Sequence, residues 1–292
     1  MKQNPKTLLF AVVLAACTLT SCNLSGRHKP LLGGTAMAET MQQESEQNTD
    51  VTSAEATAAY SSAGNDKLLL PGKLSSTPEQ ILYREGYVSS YNKATRLPNW
   101  VAWHLTSDHT TGPYKRGGIK FQEDPDVPTP RATDQDYYSS GYDRGHMCPA
   151  GDNKWSREAQ QQSFLFTNIC PQAPGLNRGD WNELEQACRL WAKRFGHIYI
   201  VAGPILYKQN RSTIGRNKVV VPQAFFKVIL CTVGTPKAIG FIYKNTDGNR
   251  PKDAYVNTID EVERITGIDF FPALPDKIEK KVEAEKDLDA WN

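Results

Sequence analysis

Tyr142-Asp-Arg-Gly-His-Met147, followed by Leu176-Asn-Arg-Gly-Asp-Trp-Asn-Glu-Leu-Glu185 and Arg189, is the stretch on which the reading of this chain turns. Its second half predicts a helix over 180–195. Asp180 and Glu183 have the spacing of a capping box. Trp181, Leu184, Ala187, Cys188, Trp191, Ala192 and Phe195 recur at helical intervals and form one apolar face. Glu185 and Arg189 are i,i+4 neighbours at the edge of that face, where a helix borders a groove.

Outward from this centre, aromatic and β-branched runs at Ile81–Tyr91 and Trp100–Leu105 predict two strands, and Phe164–Ile169 a third. His197–Gly203, Lys218–Val221, Ala224–Thr232 and Ala238–Tyr243 alternate as sheet strands do. Ser156 opens a short capped helix, and Thr258-Ile-Asp-Glu261 is a capping box for a helix through Ile265. Residues 106–141, rich in Gly and Pro, form a long irregular connection of the kind that usually carries function.

The ends differ from this body. A basic head (Lys2, Lys6) and an apolar run from Thr7 to Thr20 lead into Leu19-Thr-Ser-Cys22. That pattern resembles a bacterial lipoprotein signal cleaved before Cys22, which becomes the lipidated N-terminus; an ordinary secretory signal is the alternative. A lipid on Cys22 predicts a membrane-anchored protein outside the cytoplasm, on the outer membrane. Residues 23–75 are polar and nearly free of aromatics, a composition that predicts a flexible tether. The domain is expected over 76–275, with 276–292 a charged helix or tail. Set apart from the leader and the acidic flanks, the body is net basic, which suits a polyanionic partner. Four cysteines remain after Cys17 and Cys22, namely Cys148, Cys170, Cys188 and Cys231, and three pairings are open to them. They lack the close Cys-x-x-Cys spacing that a zinc site uses.

The central residues suit hydrolysis of a phosphodiester. That reaction needs a base for water, cations for the phosphoryl oxygens and help for the leaving alkoxide. His146 can take a proton near neutral pH, and Arg144 can hold a phosphate through two N–H groups. Mg²⁺ would take the Asn177 carbonyl, with Glu185 and Asp143 holding its waters. Singly, each residue has a plainer role: Asp143–Arg144 as a turn ion pair, Asn177 as a turn residue, Glu185–Arg189 as a helix-surface pair. The combination is what points to chemistry.

Asp143-Arg-Gly-His146 resembles the motif of the DNA/RNA non-specific endonucleases, the ββα-metal family that includes secreted bacterial nucleases and mitochondrial endonuclease G. The likeness extends to Asn153-Lys-Trp-Ser, Phe166-Thr-Asn-Ile, Leu176-Asn-Arg-Gly-Asp-Trp, Ala202-Gly-Pro204, Phe225-Phe-Lys-Val and Glu263-Arg-Ile-Thr-Gly-Ile-Asp-Phe-Phe-Pro272. It covers roughly 78–275. The resemblance implies an α+β fold, a central, largely antiparallel sheet flanked by helices, with the site on a ββα-metal finger. It implies His146 as general base, Asn177 as metal ligand and Glu185 as the carboxylate orienting metal-bound water. It further implies Arg144 and Arg189 on the scissile phosphate, Asn168 hydrogen-bonding nearby, and Arg116 as the upstream phosphate-binding arginine. The cofactor implied is Mg²⁺, with Mn²⁺ as a replacement. The partners implied are DNA and RNA, single- or double-stranded, gripped through phosphates and therefore without base preference. Cys148 departs from the small residue that many relatives carry before Pro149. A membrane-anchored nucleic-acid-binding protein on an inactivated scaffold is the alternative; the presence of His146, Asn177 and Glu185 together argues against it.

Overall fold

The computed structural model describes residues 67–207 and 211–292. In chain order its elements begin with β1 (Gln80–Tyr83), β2 (Val88–Asn92), β3 (Leu97–Thr106), α1 (Asp134–Tyr137) and β4 (Asp143–His146). Then come α2 (Arg157–Gln162), β5 (Ile169–Gln172), α3 (Pro174–Arg178), α4 (Asp180–Phe195), β6 (His197–Ile205), β7 (Thr213–Ile214) and β8 (Val219–Val220). The chain closes with β9 (Ala224–Cys231), β10 (Lys237–Lys244), β11 (Val256–Asn257), α5 (Ile259–Thr266) and α6 (Asp276–Glu283).

Seven strands make one sheet in the order β1-β2-β3-β6-β9-β10-β11, and every neighbouring pair is antiparallel. Alternate side chains leave a strand on opposite faces. Val101, Trp103, Phe225 and Ile229 join Trp181, Leu184 and Trp191 of α4 in one core. Trp100, Ala102, Phe226 and Val228 join Ile259 and Val262 of α5 and Val282 of α6 in the other. Helices thus cover both faces, and every residue of β9 is buried. The α+β sheet with flanking helices is the fold expected.

Several local expectations change. Ile81–Tyr91 is a hairpin rather than one strand: the Arg84 amide donates to the Tyr87 carbonyl at 2.8 Å and reverses the chain. Arg84 is then pinned by Asp124 at 2.6 Å and Asp126 at 2.8 Å. Phe164–Ile169 is no strand; Phe166–Asn168 is a 3₁₀ turn and β5 starts at Ile169. Helix α4 has the expected bounds, but Asp180 does not cap it. Its carboxylate instead accepts from the Asn249 amide at 2.8 Å and from the Tyr255 hydroxyl, tying the helix start to the loop after β10. Thr258 does cap α5, accepting from the Glu261 amide at 3.1 Å, and Gly267 ends it at φ 70°.

At the ends, part of the stretch read as tether is packed: Leu69 is fully buried in the second core. The tail also belongs to the domain, because Trp291 is 1% exposed with its ring 4.9 Å from that of Trp191. Cys148, Cys170, Cys188 and Cys231 are buried free thiols, so none of the possible pairings is present. The signal and Cys22 lie outside the described residues. No helix among the described residues is long and apolar enough to cross a membrane.

Candidate active site

β4 and β5 pair as a separate two-stranded ribbon, with Asp143 opposite Gln172 and His146 opposite Ile169. α3 follows β5, and α4 leaves α3 across Gly179. This strand–loop–strand–helix unit brings Arg144, His146, Asn177, Glu185 and Arg189 to one cleft of about 610 Å³, with Arg116 on its wall. Lys115, Lys154 and Arg178 also line it, so the cleft is strongly basic.

His146 sits against two aromatic rings, Phe164 at 5.0 Å and Phe121 at 5.3 Å. Its Nε2 is buried without a hydrogen-bond partner, which leaves Nδ1 as the nitrogen that opens to the cleft. Burial, helped by the nearby Arg116 charge, pushes the imidazole pKa down to about 3. The ring is therefore neutral at any physiological pH.

Asp143 lies behind the cleft lining and braces it. Its carboxylate accepts from Arg178 Nε at 2.8 Å, Arg178 Nη2 at 2.7 Å and Asn177 Nδ2 at 2.9 Å. Burial raises its pKa, but these donors outweigh burial and hold it below the ordinary value. The consequence falls on Asn177. With Nδ2 engaged by Asp143, the amide orientation is fixed and Oδ1 is left as the acceptor at the cleft.

Glu185 makes no hydrogen bond or ion pair among the described residues. Burial pushes its carboxyl up to about 7, against the pull of Lys227, Arg189 and Arg116 and with the push of Asp152. The i,i+4 pairing of Glu185 with Arg189 does not form. Arg189 Nη1 instead donates to Asp152 Oδ1 at 2.9 Å, and Asp152 Oδ2 accepts from Trp103 Nε1 at 3.0 Å. Gly151 permits that reach, since a Cβ there would stand 2.8 Å from Arg189 Nη1. Arg144 lies 2.6 Å from Asp134 and stacks on Phe121 and Tyr137 at the cleft mouth.

Asn168 is a correction. It is fully buried and not part of the cleft lining. Its Oδ1 accepts from the Cys148 amide at 2.9 Å, and its Nδ2 donates to the Cys148 and Ser163 carbonyls at 2.8 Å each. Its acceptor and one donor hold the loop after His146 and its other donor holds the Ser163 turn, so no N–H is left for a phosphate.

Asp152 and Lys227 were not singled out from the sequence, and they decide the electrostatics. Lys227 projects from β9 onto the α4 face, is 0% exposed, and its Nζ has no hydrogen-bond partner. Nζ lies 4.3 Å from the Trp181 ring centre and 5.5 Å from that of Trp103. It acts electrostatically on Glu185 and Asp152 together. A lone Lys inside an otherwise apolar strand, Phe225-Phe-Lys-Val-Ile, was the available signal.

The donor set fits a hard divalent cation. Asn177 Oδ1 is oriented and uncommitted, and Glu185 is a carboxylate without a partner in the same cleft, both being oxygen ligands. The cost of leaving Glu185 this way is measurable. Its pKa is above the ordinary carboxylate range, so the folded chain holds the proton more tightly than the unfolded one. Stability is therefore lost as pH rises towards about 7. Glu185→Gln, melted in EDTA, is expected to be more stable than the parent at pH 8 and little different at pH 5. A gap independent of pH would refute the assignment.

Together the sheet, the ribbon and the helix carrying Glu185 define a protein of the ββα type. The family model for DNA/RNA non-specific endonucleases matches residues 64–277, and the chain belongs to that family. Nuclease EXOG, mitochondrial, of Xenopus laevis is 38% identical over 203 residues, which are 63% of this chain and 56% of the relative. Nuclease C1 of Cunninghamella echinulata var. echinulata is 39% identical over 214 residues, 68% of this chain and 85% of the relative. The match therefore spans little more than half of the EXOG protein. Among solved structures, the crystal structure of the EndoG/EndoGI complex superposes with a TM-score of 0.65 at 28% identity, covering 71% of this chain and 90% of that one.

Proposed function

We propose that this chain is a Mg²⁺-dependent, sugar-non-specific endonuclease that hydrolyses phosphodiester bonds in DNA and RNA. The observation that carries the reading is the joint placement of a neutral His146 and an oriented Asn177 carbonyl in one arginine-lined cleft. His146 Nδ1 takes the proton from the attacking water. Arg144, Arg189 and Arg116 bind the phosphate, Arg189 held in place by Asp152. Asn177 would hold Mg²⁺ or Mn²⁺, with the Glu185 carboxylate beside it to orient water, and the ion would supply positive charge where the leaving oxygen becomes anionic. Contacts of this kind are made to phosphate, which supports broad cleavage that weakens with salt.

Plasmid DNA and RNA incubated with the protein in Mg²⁺ and in EDTA test the reading. Loss of both polymers in Mg²⁺ alone is expected; cutting in EDTA, or of neither polymer by folded protein, would overturn it. Asn177→Ala is expected to raise the Mg²⁺ concentration at half-maximal rate roughly 10–100-fold. An unchanged requirement would place the cation elsewhere.

The pattern ending at Cys22 supports anchoring of this nuclease to the outer membrane from outside the cytoplasm. Incorporation of labelled palmitate that Cys22→Ser abolishes is the expected result, and labelling of both forms would exclude Cys22 as the anchor.

A further inference from the structure

On the sheet face opposite the cleft, carboxylates from two helices converge. Asp260 and Glu263 stand one turn apart on α5, and Glu283 ends α6. One carboxylate oxygen from each lies within 4.8 Å of the others. Asp269 and Glu279 add negative charge from the same side, and Asp276 acts on Glu279. Arg264, the basic residue of α5, is turned to Glu261 at 2.7 Å and does not neutralise the cluster. None of the three carboxylates has an ion-pair partner among the described residues.

A second observation concerns Glu283 itself. The residue is 8% exposed, and its Oε1, closed to solvent, has no hydrogen-bond partner. A buried carboxylate facing like charges without a donor is costly, and a cation removes both penalties at once. Glu263 is already oriented for such a role, because the Phe270 amide donates to its Oε1 at 2.7 Å.

We propose that Asp260, Glu263 and Glu283 form a Ca²⁺ site that clips α6 to α5. All donors are hard oxygens. Ca²⁺, with bonds of about 2.3–2.6 Å, spans oxygens up to ~5 Å apart and accepts irregular ligand sets. Mg²⁺, at about 2.0–2.1 Å and reluctant to lose water, demands a tighter octahedron. The clip fastens the segment that leads to Trp291 and its contact with Trp191. Burial first, then the neighbouring carboxylates, push Glu283 up to about 8 and Glu263 up to about 7, the direction that a cation among them would reverse.

The test is equilibrium dialysis of the whole protein against Ca²⁺ at pH 8, with Glu283→Gln and Asp260→Asn alongside. Whatever the cleft binds, Glu283→Gln is expected to hold one Ca²⁺ fewer than the parent. Asp260→Asn, on an exposed residue, is expected to weaken the same site about tenfold. A hundredfold excess of Ca²⁺ over its Kd should raise the parent Tm by roughly 5–10 °C, and Mg²⁺ at equal concentration by less. Equal Ca²⁺ counts in parent and both variants would overturn the site. So would a parent protein whose Tm rises on acidification to pH 6 but not on adding Ca²⁺ at pH 8, since shared protons would then be all that holds the cluster.

Discussion

His146→Ala is expected to lower kcat on DNA by about 10²–10⁴-fold, with KM and the folded state nearly unchanged. The imidazole is the ionisable group of the cleft that is neutral and unprotonated across the working pH range, while the arginines offer donors only. Its side chain contacts Phe121 and Phe164 at the cleft edge, so truncation removes ring contacts worth about 1 kcal/mol and leaves both cores intact. Circular dichroism and DNA binding in EDTA separate the effects. Retained turnover would assign the base elsewhere; lost binding would mean that His146 holds the substrate rather than activating water.

Lys227→Met is expected to move the acid limb of the pH–rate profile upward and to cut activity at pH 7 by about tenfold for every pH unit the limb moves. Lys227 is the strongest influence holding the Glu185 carboxyl down against its burial, so removing the ammonium lets that pKa climb. Below it, a proton occupies the carboxylate that, in the proposed function, orients the cation's water. Methionine fills a similar volume and forfeits no hydrogen bond, because Nζ has none to lose. A purely structural lysine would give a variant slower at every pH to the same degree. Recovery at pH 9 of most of the rate lost at pH 7 is the signature of electrostatic positioning.

Local signals made much of the domain legible. The apolar period from Trp181 to Phe195 fixed a helix whose bounds the structure reproduces, because an amphipathic face and a terminal glycine act within a few residues. The strands β6, β9 and β10 followed from β-branched and aromatic runs, and the motif residues His146, Asn177, Glu185, Arg144 and Arg189 came together as expected. Partnerships across the chain were not legible. Asp143 and Asn177 are 34 residues apart, Arg189 and Asp152 are 37 apart, and Asn168 is spent on Cys148, 20 residues away. Each donor had several chemically equal acceptors in the sequence, and only packing chose among them. The same holds for Lys227: its type and strand were plain, but the face it points to follows from strand register. A slip of one residue would send it to the opposite face. Sequence alone therefore determined which groups the chain possesses and which elements carry them. Tertiary structure decided which are paired, which are buried without a partner and which remain for chemistry, because desolvation and hydrogen bonding depend on neighbours that the linear order does not specify.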